Sequence, residues 1–270
     1  MQTILKLNRN TFSLVLLTAV LFFASCKKDD NPNPAPPPPP PAPKIQEFKD
    51  GDDFMKFEYN ADGTLKKATV KNEINTSNEI VDFNVTYNAN KVITEVNSSS
   101  GEKIVPVYDN NKLVRADIFM AGHRTGYTSY HFAGGNIHSA TIYVEAEEDD
   151  YVPILEFRYN FNGAGNIQEG IILVAGEEPN VMIRAGSVEM EYDAKPNPLH
   201  ELKDFLALLW QGASKNNVVL EKVYNPQLQE EDRSVYTYTY KANGFPEKAD
   251  VKTGLPGQPQ ENSTVGFTYK

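Results

Sequence analysis

A short unit recurs along this chain: an aromatic residue, a tetrad rich in Asn, Asp and Gly, and a return to apolar residues. Asn and Asp hydrogen-bond their own backbone in turns, and Gly accepts the positive φ that closes a tight hairpin. Each copy therefore predicts a β-hairpin. Where Gly is missing, Asn90 and Asn111 are expected to take the left-handed position. In order, the copies begin at Tyr59, Tyr87, Tyr108, Phe132, Tyr159 (with Gly163 in its turn), Tyr192 and Tyr240.

The segments between these turns have the period-two pattern of strands. Residues 81–87 alternate apolar and polar side chains, and so do residues 138–144 and 155–161. Strands joined by short connections pair antiparallel. We therefore predict an all-β domain over residues 44–270, an antiparallel meander of about fourteen strands. Open sheets of more than about ten strands curl or split, so a barrel or half-barrel is expected, with an elongated single sheet as the alternative.

One segment departs from the strand pattern. Asn197 is a candidate N-cap, Pro198 suits the first helical position, and Gly212 suits the end of a helix. We predict a helix near 198–211. Its apolar stripe runs through Leu202, Phe205, Leu206, Leu209 and Trp210, so the helix should be largely buried against the sheet.

The first 43 residues predict an export signal, an anchor and a spacer. Residues 1–25 carry Lys6 and Arg9 before an apolar run that is far shorter than the ~20 residues of a membrane span, which is typical of a signal peptide. The run ends in Phe23-Ala24-Ser25-Cys26, which resembles a bacterial lipobox. Cys26, the only cysteine, is therefore the predicted lipid anchor, and an ordinary secretory signal is the alternative. Residues 26–43 form a proline-rich linker, which favours an extended stalk.

Charge excludes one class of partner. The chain has a formal net charge of -10 and no basic stripe, so a phosphate-binding nucleic-acid surface is not expected. Known catalytic or phosphate-binding motifs are absent from the sequence, and we predict neither an enzyme nor a cofactor. Two weak metal candidates are the facing pair His131 and His138, and the acidic segment 145–150, which could bind calcium.

Several of these segments carry a family resemblance. The hairpin repeats, Tyr192-Asp193-Ala194-Lys195-Pro196-Asn197-Pro198-Leu199, Lys215-Asn216-Asn217-Val218 and the stretch 238–246 are together similar to a family of Bacteroidetes outer-membrane lipoproteins with a porin-like β-meander. Lys27-Lys28-Asp29-Asp30, directly after Cys26, resembles the signal that carries such lipoproteins to the cell surface. Single hairpins also resemble the YD repeats of large secreted shell proteins, which have a stricter Gly-Arg-Leu. The family resemblance implies a fold and a location, and no activity.

Aromatic side chains give the best candidate for binding. Tyr236, Tyr238 and Tyr240 alternate with Val235, Thr237 and Thr239, so the three phenols share one face of a strand. On a solvated face such a row would be a platform for sugar rings, and on the inner face it would be core. We predict a lipid-anchored surface protein that captures a glycan without catalysis. The alternatives are an assembly lipoprotein that contacts another outer-membrane protein, and a glycoside hydrolase with two acidic groups in a cleft.

Overall fold

The computed structural model describes residues 42–71, 80–133, 135–148, 150–178, 180–226 and 230–270. The predicted signal peptide (1–25), Cys26 and the proline-rich linker as far as residue 41 lie outside these ranges. The division of the chain into signal peptide, linker and β-domain therefore stays a prediction.

The described residues form a closed antiparallel barrel. The strands are β1 (Ile45–Asp50), β2 (Asp53–Tyr59), β3 (Leu65–Lys71), β4 (Ile80–Tyr87), β5 (Ile93–Ser98), β6 (Glu102–Asp109), β7 (Lys112–Met120), β8 (His123–Ala133), β9 (Asn136–Glu147), β10 (Asp150–Phe161), β11 (Ile167–Ala175), β12 (Met182–Pro196), β13 (Asn216–Asn225), β14 (Glu230–Tyr240), β15 (Pro246–Gly254) and β16 (Glu261–Tyr269). Each strand pairs with its neighbours in sequence, and β1 pairs with β16. The predicted all-β meander is confirmed, and of the two curled forms the closed barrel is the one adopted.

The strand count in the described ranges is sixteen, slightly above the count expected from the sequence. In the short strands β1 and β5 the apolar residues are three positions apart, Ile45 and Phe48 in β1 and Ile93 and Val96 in β5, so neither strand shows a period-two pattern. A count made from periodicity alone therefore comes out low.

Four of the repeat turns share one geometry. In the β2–β3 turn the Asn60 amide donates to the Thr64 carbonyl (2.9 Å), and the Gly63 amide donates to the Asn60 carbonyl (3.0 Å). The same pair of hydrogen bonds closes the turns that begin at Asn88, Asn162 and Lys241. Gly63 and Gly244 have φ of 87° and 84°, as the hairpin prediction requires. A β-bulge precedes the aromatic residue in most copies, for example between Glu58 and Tyr59.

Two details of the turn prediction are wrong. Lys91 (φ 60°), and not Asn90, takes the left-handed position after Tyr87, whereas Asn111 (φ 62°) takes it as predicted. In the copy assigned to Tyr159 the turn follows Phe161, and Gly165 (φ 83°) replaces Gly163 as the positive-φ residue. Two aromatic residues two positions apart offer two registers, and the sequence does not distinguish them.

The barrel has two different ends. We call the end that carries the repeat turns the turn end, and the opposite end the loop end. The Lys270 amide donates to the Lys44 carbonyl (2.9 Å), so the start of β1 and the end of β16 lie together at the turn end. A stalk that precedes residue 42 would therefore enter the barrel at the turn end, on the far side from the loop end.

Tyrosine hydroxyls of the repeat tie neighbouring strands together at the turn end. Tyr59 donates to the carbonyl of Ile45 (2.8 Å), the first residue of the adjacent strand β1. Tyr192 and Tyr269 donate in the same way to the first residues of β11 and β15, at 2.7 and 2.8 Å. The repeated tyrosine thus satisfies a carbonyl at the start of a strand as well as filling the interior.

A short helical segment fills the turn end of the barrel from inside. It consists of a 3₁₀ turn, His200–Leu202, and α1, Lys203–Leu208, and is shorter than the predicted helix over 198–211. It ends early because Trp210 adopts a positive φ (62°), the position expected for Gly212. Its predicted burial is confirmed, since Leu202, Phe205, Leu206 and Leu208 are at most 6% exposed.

Inward-facing residues of the strands leave room for this helix. Ala68, Ala116, Ala140 and Ala249 are at most 1% exposed and belong to the same core cluster as the helix. Short side chains let the barrel wall approach the helix closely. The Trp210 indole donates to Thr128 on β8 (2.9 Å), and the Tyr159 hydroxyl on β10 donates to the Trp210 carbonyl (2.5 Å), which fixes the end of the helical segment to one part of the wall.

Candidate functional site

The predicted tyrosine row lies on the inner face of β14. Tyr236 and Tyr238 pack against the core clusters, and their register partners on β15 are the buried residues Val251 and Ala249. Consecutive rings of the row stack, with centroids 6.4 Å apart for Tyr236 and Tyr238. The structure thus adopts the inner-face arrangement that the sequence left open for Tyr236, Tyr238 and Tyr240. Ligand binding by this row stays a prediction.

A polar network holds the end of the row. The hydroxyl of Tyr240 donates to the carboxylate of Asp193, and the Asn217 side chain donates to the Tyr240 hydroxyl (3.2 Å). Burial, together with the hydrogen bond and the charge of Asp193, raises the pKa of Tyr240, and burial raises that of Tyr238. Both phenols therefore remain neutral hydrogen-bonding groups. Asp193 and Asn217 lie in two of the segments that carry the family resemblance, and this network joins those segments to the end of the tyrosine row.

Glu221 is a buried acid on the same inner wall. It is opposite Met190 on β12 and Ser234 on β14, and it is 2% exposed. Its Oε1 atom has no hydrogen-bond partner among the residues that the structure describes. Burial raises the pKa of Glu221 to about 8. The carboxyl group is therefore largely protonated at neutral pH.

The outward face of the barrel is polar. Lysines and acids pair on it, including Lys56 with Glu47 (3.3 Å) and Lys67 with Asp82 (2.9 Å). The inward face carries the apolar side chains, such as Phe57 and Phe267, at 4% and 5% exposure. A barrel that spans a bilayer has the opposite arrangement, with an apolar band outside. This barrel therefore has an outer surface suited to water.

The outward face of β8 and β9 carries a row of polar side chains. The register sets Tyr127 opposite Tyr143, Ser129 opposite Thr141, and His131 opposite Ser139. Residues that alternate with them, such as Thr128 and Ala140, are buried inside the barrel. We call the six outward residues the outer track; they are Tyr127, Ser129, His131, Ser139, Thr141 and Tyr143.

A wall of aromatic rings closes the outer track toward the loop end. Tyr127 and Tyr143 stack with centroids 4.6 Å apart and planes 9° apart, and Tyr151 meets Tyr127 edge-on at 5.4 Å. The Arg124 guanidinium lies over the Tyr127 ring at 5.0 Å and over Tyr151 at 4.8 Å. These contacts fix the wall, because each ring is held by at least one neighbour.

Arginine–carboxylate pairs flank the outer track on both sides. On β7, Arg115 Nε lies 3.1 Å from Asp117 Oδ1, and on β10, Arg158 Nε lies 2.6 Å from Glu156 Oε1. The Arg115 and Arg158 side chains are 44% and 48% exposed, whereas the Asp117 and Glu156 side chains are 13% and 12% exposed. The carboxylates are thus nearly covered by their surroundings, and the guanidinium groups face solvent. Glu156 raises the pKa of Arg158.

The side chains of the two histidines considered as metal ligands lie next to each other. The register steps from His131 opposite Ser139 to Phe132 opposite Ile137, which makes His138 the extra residue of a β-bulge. The His131 and His138 rings are 5.9 Å apart at 77°. Among the described residues, no group of three His, Cys, Asp or Glu side chains is placed to hold a metal ion.

The acidic segment 145–150 is only partly within the described ranges. Glu145 lies 2.6 Å from His123 Nε2, and Glu147, Glu148 and Asp150 are exposed. Asp149 lies outside the described residues. Calcium binding by this segment stays a prediction.

A second outward feature is a cavity of about 490 Å³ on β10–β13. Two of its three acids are paired, since Glu169 accepts from Arg184 (3.1 Å) and Asn160 (2.9 Å), and Glu189 lies 3.8 Å from Lys222. The lining residues are Asn160, Gln168, Glu169, Glu189, Met190, Glu191, Leu220 and Lys222.

The outer track and its flanking arginines were not identified from the sequence. Ser129 and Thr141 become neighbours only through the register of β8 and β9, which no local motif states. Among the residues that the structure describes, no helix is both long enough and apolar enough to cross a membrane.

Comparisons with known proteins support the fold. No protein-family model matches the chain, and no curated protein matches it. Among solved structures, a porin-like protein from Bacteroides uniformis ATCC 8492 is similar, with a TM-score of 0.55, 12% identity, and coverage of 84% of this chain and 98% of that one. A porin-like protein from Bacteroides vulgatus ATCC 8482 has a TM-score of 0.43, 11% identity, and coverage of 85% and 99%. The first likeness confirms a porin-like barrel architecture.

Proposed function

We propose that this chain is a lipid-anchored outer-membrane protein whose barrel stands in water at the cell surface and captures a glycan without catalysis. The observation that carries the proposal is the polarity of the barrel, with paired charges outside and an apolar, helix-filled interior. Such a barrel needs an anchor of its own to stay at a membrane, and the predicted lipid on Cys26 supplies one. The porin-like likeness supports an outer-membrane location, and the filled turn end argues against an open pore.

One substitution tests whether the lipid or the barrel itself holds the protein at the membrane. Full-length protein is expected in the outer-membrane fraction and should require detergent for release. Cys26→Ser should be recovered without detergent, with an unchanged β-type circular dichroism spectrum, because the outward face is polar. If Cys26→Ser resisted extraction by alkaline carbonate as wild type does, the barrel itself would be embedded and the proposal would be wrong.

Glycan capture needs a separate test. Detergent-solubilised full-length protein is screened against neutral and acidic polysaccharides by affinity electrophoresis and thermal shift. At least one polysaccharide should retard the protein and raise its midpoint of unfolding, since a ligand that binds only the folded state stabilises it. Absence of both effects across the panel would refute capture of these glycans.

One observation favours a second function, contact with another outer-membrane protein. Apolar side chains are exposed on β10 and on the segment around the start of β12, among them Ile154 (40%) and Ile183 (51%). Exposed apolar side chains at the loop end mark an interaction site where they form one patch. Crosslinking of whole cells through a cysteine placed at Ile183 tests this role. A specific crosslink to one membrane protein, together with no polysaccharide binding, would favour assembly over capture.

A further inference from the structure

We propose that the outer track binds an extended acidic polysaccharide, with sugar carboxylates directed to Arg115 and Arg158. The inference rests on the glycan capture proposed above and names its site and ligand class. It places binding on the outer wall of the barrel, away from the inner tyrosine row.

The shape of the outer track suits a chain-like ligand. Its middle is built from the short side chains of Ser129, Ser139 and Thr141, while the long side chains of Arg115 and Arg158 stand on either side. Four strands at about 4.8 Å spacing make this surface ~14 Å wide, and the rows from residue 127 to 131 span ~14 Å along the strand. The result is a shallow trough, open toward the turn end and closed by tyrosine rings toward the loop end.

Charge selects an anionic ligand for this trough. The guanidinium groups on both sides are exposed, and the carboxylates that orient them are nearly covered. Ligand carboxylates can therefore approach the arginines from solvent and form charge-assisted hydrogen bonds. Three guanidinium groups, those of Arg115, Arg124 and Arg158, face two carboxylates here, which leaves an excess of one positive charge on a chain whose formal net charge is -10. The third of these arginines, Arg124 on β8, lies beside the tyrosine wall, 2.7 Å from Asp117.

The side chains of the trough suit a sugar better than a protein or a nucleic acid. Its middle offers hydroxyl groups, whereas the core of a protein interface is apolar and aromatic. The apolar side chains exposed on β10, such as Ile154, lie beyond the tyrosine wall. The trough contains no lysine, and Tyr127 and Tyr143 stack on each other, so the surface lacks the row of open rings on which the bases of a nucleic acid stack. Hydroxyls, planar guanidiniums and phenol edges are groups that pair with sugar hydroxyls and carboxylates.

A matched pair of variants tests the site. Arg158→Ala removes one flank of the trough, and Arg233→Ala removes an outward arginine on β14 that has the same 2.6 Å Nε–Oε1 contact with the acid two residues before it. Full-length protein in detergent is titrated with polygalacturonate and, for comparison, with dextran, by affinity electrophoresis. Arg158→Ala should weaken polygalacturonate binding about tenfold, as expected for one charge-assisted contact, and Arg233→Ala by less than about twofold.

A second pair tests the tyrosine wall. Tyr143→Ala should weaken binding about as much as Arg158→Ala, whereas Tyr224→Ala, on the outward face of β13, should have little effect. Equal losses of affinity in Arg158→Ala and Arg233→Ala would show that the electrostatic potential of the whole protein, and not the trough, attracts the ligand. That result would overturn the inference. Retained binding in both Arg158→Ala and Tyr143→Ala would place glycan capture elsewhere, which overturns the site but not the function. Failure of wild type to bind any polysaccharide would overturn both.

Discussion

Replacing Glu221 by Gln should stabilise the barrel at alkaline pH and should not stabilise it at acid pH. The carboxyl group lies inside the barrel between Met190 and Ser234, and burial raises its pKa from the ordinary 4.5 to about 8. In the unfolded chain the group ionises near its ordinary pKa. Between these two values the unfolded state loses a proton that the folded state retains, so wild-type stability falls as pH rises, and the loss is complete above about pH 8.

The size of the effect follows from the same two pKa values. Each pH unit between them is worth about 1.4 kcal/mol, so the full penalty in wild type approaches about 5 kcal/mol above pH 8. Glu221→Gln removes the ionisation while keeping the size of the side chain. The amide introduced at position 221 also lacks a hydrogen-bond partner. This lowers the free energy of unfolding by about 1–3 kcal/mol at every pH and does not change its dependence on pH.

The assay is urea unfolding of Cys26→Ser protein, with and without Glu221→Gln, at about pH 5, 7 and 9. The difference in free energy of unfolding between the two proteins should shift by about 4 kcal/mol in favour of Gln from pH 5 to pH 9. Glu189→Gln, on the outward face of the neighbouring strand, is the control and should show no such trend. A Glu221→Gln difference that stays constant with pH would refute the reasoning, because it would mean that Glu221 ionises alike in the folded and unfolded states.

Three further substitutions test the fold by the same unfolding assay. Tyr59→Phe should lower stability by about 1 kcal/mol, since it leaves a strand carbonyl without its donor; no change would show that water replaces the hydroxyl. Phe205→Ala should cost about 3–5 kcal/mol through loss of the helix core, and a much smaller cost would mean that the helix is not held inside the barrel. Gly126→Ala should be destabilising by about 1–3 kcal/mol, because the added carbon would lie 2.4 Å from the Tyr143 carbonyl, whereas Gly266→Ala, with open space around it, should be nearly neutral.

The architecture could be predicted because its signals are local. Hairpin turns depend on residues within a tetrad, and Gly63 and Gly244 occupy the positions that those residues predict. The details that failed depend on more distant contacts. Trp210 takes the left-handed conformation in place of Gly212 because its indole and carbonyl are held by Thr128 and Tyr159 on the barrel wall.

The outer track could not be predicted because it depends on register. Each bulge shifts the pairing by one residue, as at His138, and a shift of one residue exchanges the inner and outer faces of a strand. For the same reason the sequence identified the shared face of Tyr236, Tyr238 and Tyr240 but not whether that face points inward. Period-two alternation shows which residues share a face of a strand. Which of the two faces is exposed to solvent is fixed only when the sheet closes into a barrel.

The barrel closes through the pairing of β1 with β16, so closure has to wait for the last of the sixteen strands in chain order. Until β16 is in place, β1 and β15 are unpaired edge strands, and each can pair with a strand of another chain. Contacts between segments distant in sequence form slowly, so this open intermediate should outlast the formation of the single hairpins. A chain that stops short of β16 would keep both edges unpaired, and the seam therefore makes protection against edge-to-edge aggregation depend on the complete set of strands.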